Sequence, residues 1–129
     1  ADQDKENAIP LINTLHKNSY KIFATQGTAK FINSLGIPVI EINKRLEDGN
    51  PNVVDIIQNS TVDAVVNTVT GDRSVLQDGF HIRRSAVEMR IPCFTSLDTA
   101  RTASENISSR SLNYNVKTIG EYLNNTKQE

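Results

Sequence analysis

The spacing of apolar positions changes period several times along the chain. Ala8, Ile9, Ile12, Leu15 and His16 recur at helical intervals, so residues 8–16 are expected to form an amphipathic helix. Asp2 or Asp4 is placed to cap its start, where an acidic group suits the helix dipole. Tyr20 to Ala24 is a short apolar run and reads as a strand. Thr25-Gln26-Gly27-Thr28 reads as a turn, followed by a helix from Ala29 to Leu35 that Gly36 stops. Pro38 to Ile42 reads as a second strand, the polar stretch Asn43–Asn52 as a loop, Val53–Gln58 as a short helix and Val62–Asn67 as a third strand. Thr68 to Gly79 is rich in turn residues and reads as a long connection. A helix is expected from Phe80 or His81 to Met89, then a fourth strand over Ile91–Thr95. Leu97–Ile107 reads as a helix capped by Ser96 or Thr95. Residues 108–115 read as a surface loop, Val116–Thr118 as a short strand and Ile119–Asn124 as a closing helix.

Strands rich in β-branched residues alternate with helical patterns throughout. That order argues for a doubly wound α/β fold, a mostly parallel sheet with helices on both faces. A length of 129 residues suits one domain over 1–129. Lys+Arg is 14 and Asp+Glu is 15, a net charge of -1, which leaves no electrostatic footprint for nucleic acid or a membrane surface. Any anion site must therefore be local. The single cysteine, Cys93, permits no internal disulfide, and the start of the chain has no apolar stretch of the signal-peptide kind. A cytoplasmic location is the expectation. No His/Cys pair has metal-ligand spacing, so no metal site is expected. Cys93, between Pro92 and Phe94, reads as a strand thiol rather than a nucleophile, and His81 as a residue that caps or flanks a helix.

Parallel α/β sheets bind ligands at the carboxyl ends of their strands. Thr25, Gln26, Gly27 and Thr28 follow the first expected strand, Asn43 and Lys44 the second, Asn67 and Thr68 the third. Each is unremarkable alone: a strand-to-helix cap, a solvated lysine, a turn residue. Their convergence on one sheet edge is what suggests a site. Gly27 lets a ligand approach the backbone, and free N–H groups with two Thr hydroxyls suit a phosphate or carboxylate. Lys44 and Lys5 supply opposing charge, and the Asn67 amide suits ribose hydroxyls or a base edge.

The segments Phe23–Ala29, Ile42-Asn43-Lys44, Val66-Asn67-Thr68, Ile82–Ala86 and Thr95–Ala100 carry a resemblance that runs in order over nearly the whole chain. Asp78–Arg84, the Ser96–Ala100 segment and Lys117–Tyr122 are further parts of it. Together they resemble the methylglyoxal-synthase-like domain, and more narrowly the version at the C-terminus of the carbamoyl-phosphate synthetase large subunit. The resemblance implies a regulatory module within a larger ligase that uses ATP with magnesium or manganese and works with a glutaminase small subunit. It implies small effectors, uridine or inosine monophosphate, with ornithine acting at the domain boundary and N-acetylglutamate in urea-cycle relatives. It implies a place in pyrimidine or arginine synthesis, with no catalytic residue and no cofactor in this domain. By motif, Lys5, Thr25, Gly27, Thr28 and Lys44 fall on the phosphate-binding positions, and Asn67 and Thr68 on the nucleoside side.

Two departures from the family pattern stand out. A second threonine after the Asn-Thr pair is replaced by Val69, which removes a hydroxyl. The family's first strand, which ends in a Ser before the Asp-x-Asp-Lys stretch, is not present in this chain. The resemblance places that strand centrally, between 20–24 and 62–67. Without it the backbone edges of those two strands would lack partners, which leaves three outcomes: the strand lies outside this sequence, another chain fills the slot, or the sheet closes up. Methylglyoxal synthase itself is the rival reading. Its chemistry needs a carboxylate base in a Gly-Asp-Gln-Gln segment and a nearby His, whereas the loop here reads Lys44–Pro51 without that motif and the first His after the third strand is His81. The IMP cyclohydrolase domain of purine synthesis is a further relative of the fold.

Overall fold

The computed structural model describes residues 4–44, 49, 51–68, 73–108 and 119, with the side chains of 73–77 and 108 excepted. A 3-10 turn at Glu6–Ala8 leads into α1, Ile9–Lys17. Then follow β1 (Phe23–Thr25), α2 (Gln26–Ser34), β2 (Ile40–Ile42) and α3 (Val53–Gln58). The order continues with β3 (Val65–Val66), α4 (Arg73–Glu88), β4 (Cys93–Phe94) and α5 (Leu97–Ser108). The alternating strand–helix order and the parallel pairing agree with the α/β reading. The expected loop over 109–115, the strand at 116–118 and most of the closing helix lie outside the described residues.

The strands form two parallel pairs rather than one sheet. β1 pairs with β2, placing Phe23 beside Ile40 and Thr25 beside Ile42. β3 pairs with β4, placing Val66 beside Phe94. Among the described residues no ladder joins β1 to β3, so direct closure of the sheet does not occur. The two pairs are held instead by helices. α3 and α4 bring Val53, Ile56, Ile57, Ile82 and Ala86 against Ile42, and Phe23, Val65 and Cys93 pack on the same cluster from both pairs. On the other face, Ala24 packs with Ile12, Ala29, Ile32 and Ile37 of α1, α2 and the turn after α2. Phe23 and Ala24 thus serve opposite faces, as alternation along a strand requires. α5 lies against α1 and β4.

Several element ends differ from the sequence reading for identifiable reasons. The Thr25–Thr28 segment is not a separate turn. Thr25 is extended at φ -68, ψ 156 as the N-cap, and α2 starts at Gln26, so Gly27 and Thr28 belong to its first turn. Gly36 ends α2 as expected, with φ +75. Asp4 is not the cap of the first helix: Ala8 is its N-cap, without a side-chain cap, and Pro10 sits in its first turn, while Asp2 lies outside the described residues. α4 begins at Arg73, seven residues before the earliest expected start, because a polar run and Gly79 hide its helical character. His81 is accordingly inside α4, edge-on to Phe80 with ring centroids 5.8 Å apart, not at a helix end. α3 has the expected bounds, and its start is fixed by a capping box: Asn52 accepts from the Asp55 N–H and the Asp55 carboxylate accepts from the Asn52 N–H.

Candidate functional site

Parallel register sets the edge where the candidate residues meet. Thr25 lies beside Ile42, so α2 begins at the level where Asn43 and Lys44 leave β2. Asn43 clamps the base of the following loop. Its N–H donates to the Pro51 carbonyl, its carbonyl accepts from the Val53 N–H, and its side-chain amide donates to the Gly49 carbonyl. Lys44 is thereby held at the strand end although the loop after it is polar. On the other strand pair, the Asn67 N–H donates to the Phe94 carbonyl, which places Asn67 and Thr68 level with Thr95 and Ser96.

The start of α2 is electropositive. A helix N-terminus carries about half a positive charge on its unpaired N–H groups. The first turn of α2 has no acidic residue, and Thr25 makes no side-chain capping bond. Lys5 adds an ammonium at the same place: a Cβ on Gly27 would lie 3.6 Å from Lys5 Nζ. The structure therefore unites Lys5, Thr25, Gly27 and Thr28 around one helix start. Spacing alone gave no reason for Lys5 and Gly27 to touch.

Lys44 is engaged differently from the simplest expectation. Its Nζ pairs with Asp78 Oδ2 of α4 at 3.2 Å, not with the Thr25–Thr28 segment. Asn67 is also held by α4, since Arg83 Nη1 donates to its Oδ1 at 2.9 Å. Asp78 was not anticipated as a partner of Lys44 because α4 was expected to start beyond it, whereas Arg83 lay inside the expected helix with nothing to show that it faces Asn67. An acid and a base five residues apart in a helix also give no local signal of what they face. Thr68 lines an open cavity of about 660 Å³ between the first residues of the chain and the ends of β3 and β4, with Asp4, Glu6, Thr95, Ser96 and Arg101 among its walls.

Cys93 is partly buried in the α3–α4 cluster. Burial pushes its thiol above the ordinary value, and the Arg83 guanidinium pulls it part of the way back. A thiol raised in this way is a poor nucleophile near neutral pH, in keeping with its reading as a packing residue.

The MGS-like domain family matches residues 7–95. The chain belongs to the MGS-like domain family. This MGS-like chain is 42% identical over 111 residues to the carbamoyl phosphate synthase large chain of Clostridium botulinum (strain Loch Maree / Type A3), covering 86% of this chain and 10% of that protein. It is 44% identical over 100 residues to the same protein of the Langeland strain, covering 78% of this chain and 9% of the relative. The large chain of Thermomicrobium roseum is 37% identical over 122 residues, covering 95% of this chain and 11% of the relative. The chain thus spans about a tenth of the length of the curated relatives it matches. Among the described residues, no helix of this MGS-like chain is long and apolar enough to cross a membrane.

Proposed function

We propose that this MGS-like chain is the effector-binding, regulatory domain at the C-terminal end of a carbamoyl-phosphate synthetase large subunit, and that it binds a small phosphorylated ligand without doing chemistry itself. The observation that carries the reading is the Lys5 ammonium set over Gly27 at the start of α2. Two positive features placed together, with no acidic residue in the helix's first turn, suit an anionic ligand. A phosphate there accepts from the N–H groups of Gly27 and Thr28, from the two Thr hydroxyls and from Lys5. Lys44, on the adjoining strand end, closes the phosphate site after exchanging Asp78 for the ligand. Asn67 and Thr68 face the remainder of the ligand. Uridine and inosine monophosphates fit this division, since a common phosphate supplies affinity and a variable base supplies choice.

In the same proposal the rest of the large subunit and the glutaminase subunit are the protein partners, and ATP with its metal ion is bound elsewhere in the synthetase. Calorimetric titration of the chain against UMP, IMP, ornithine, N-acetylglutamate and phosphoribosyl pyrophosphate tests the reading. At least one phosphorylated member is expected to bind, and Lys44→Ala is expected to weaken it about tenfold to a hundredfold, the worth of a charge-assisted contact. Binding of the unphosphorylated members alone, or of none, refutes it.

A further inference from the structure

Arg83 reaches Asn67 by an unusual route. Its Nη1 donates to Asn67 Oδ1 at 2.9 Å, crossing Gly79 one turn earlier on α4. A Cβ added to Gly79 would lie 2.7 Å from Arg83 Nη1 and 3.1 Å from Asn67 Oδ1. Gly79 is buried and helical, and it is not among the glycines with positive φ. Its backbone therefore has no need of glycine, but the Arg83–Asn67 contact needs the space. Glycine inside a helix is a poorer choice than alanine, and here it stands where a methyl group would push the guanidinium off the amide.

The contact has a chemical consequence. An Asn amide has an acceptor end and a donor end, whereas Arg carries donors only. With Oδ1 held by Arg83, turning the amide over would set its NH2 against the guanidinium N–H groups. The orientation is thus locked, and the NH2 end is the half left for a ligand. The part of the ligand that reaches it is set by the sheet. Among the described residues β1 and β3 are not hydrogen-bonded to each other, and the phosphate end of the site follows β1 whereas Asn67 follows β3. In the effector reading Asn67 faces the part of the ligand beyond the phosphate, where a nucleotide carries its base. We propose, resting on the effector-binding reading above, that Arg83 seated over Gly79 is a positioning residue. It fixes the Asn67 amide as a hydrogen-bond donor, so that the site selects an oxo group on the ligand's base over an amino group.

UMP and CMP differ at this point, oxo against amino, on one ring. The test is calorimetric titration of the chain with UMP, CMP and ribose 5-phosphate, in the unmodified protein and in Arg83→Met, Arg83→Lys and Gly79→Ala, with melting temperatures measured alongside. The unmodified protein is expected to favour UMP over CMP by about tenfold or more, the scale of one hydrogen bond gained against one donor facing another. Arg83→Met and Gly79→Ala are expected to cut that ratio to about threefold or less. Arg83→Lys, which keeps a donor, retains part of it. Affinity for ribose 5-phosphate stays within about twofold in all. Gly79→Ala is expected to melt within about 5 °C of the unmodified protein, since the helix propensity gained offsets the side-chain hydrogen bond lost. It therefore decides the matter even where Arg83→Met fails to fold. A folded Gly79→Ala or Arg83→Met protein that keeps the full UMP:CMP ratio overturns the positioning role, as does an unmodified protein that binds both nucleotides equally. An unmodified protein that binds none of the three phosphates overturns the effector-binding reading as well.

Discussion

Replacing Lys5 by methionine removes an ammonium and keeps a flexible, unbranched stem. Two effects follow, and their sizes separate a ligand from a structural lysine. Without ligand, a cation beside a helix N-terminus is unfavourable by about 0.3–1 kcal/mol, so its removal gives back an amount of that size. Lys5, at a half-buried position, also has a further interaction within the chain, and a loss of the size typical of a solvent-screened ion pair offsets a similar amount. The unliganded variant should therefore be within about 1 kcal/mol of the unmodified protein. With a phosphorylated ligand, a charge-assisted contact worth roughly 1.5–3 kcal/mol is lost. At ten times the dissociation constant, ligand binding stabilises the unmodified protein by about 1.4 kcal/mol, and a tenfold weaker variant by about 0.4 kcal/mol. For a chain of this length 1 kcal/mol is about 3–5 °C in melting temperature. Scanning fluorimetry with and without UMP should thus give a shift of about 5 °C for the unmodified protein and at most about 2 °C for Lys5→Met. Equal shifts refute the role of Lys5 as a phosphate ligand, and a loss of several kcal/mol without ligand would make it a structural residue instead.

Asp78→Asn should strengthen phosphate binding by a few-fold in calorimetry, because the Asp78 carboxylate lies 3.2 Å from Lys44 Nζ and competes with an incoming anion; a tenfold weakening would show that Asp78 orients Lys44 rather than competing for it. Asn52→Ala should cost about 1–2 kcal/mol in denaturant unfolding, because it breaks the α3 capping box at a fully buried position; an unchanged midpoint would count against that cap. The Cys93 thiol is raised by burial above its ordinary 9.0, so its contribution to stability is complete below that value and declines as the pH rises past it. Alkylation at pH 8 should accordingly be slower in the native chain than in denaturant, and equal rates would contradict the burial effect.

The elements that sequence reading placed well are those with a local signal. The run Val53–Gln58 gives α3 its bounds, and Gly36 marks the end of α2 by its positive φ. The start of α2 was misplaced because Thr-x-Gly-Thr looks like a turn, yet an extended Thr25 lets the same residues open a helix. The α3 capping box was legible in principle: Asn52 stands three residues before Asp55, ahead of an apolar run. At the site, the sheet edge followed from strand ends, and Thr25, Gly27 and Thr28 from their types. The partners that orient Lys44 and Asn67 did not. Arg83 and Asn67 are 16 residues apart, and their contact depends on a gap at Gly79 that only packing reveals. Among the described residues β1 and β3 are not paired directly, so of the three outcomes posed by the family resemblance the sheet does not close up there.

The central claim is that a phosphate is held at the start of α2, and a crystal structure of the chain grown with UMP tests it most directly. The phosphate should lie within hydrogen-bond distance, about 3 Å, of the Gly27 or Thr28 N–H and of Lys5 Nζ, with Lys44 turned from Asp78 toward it. A nucleotide lodged elsewhere, such as the cavity beside Arg101 with its phosphate remote from Gly27, would contradict the account.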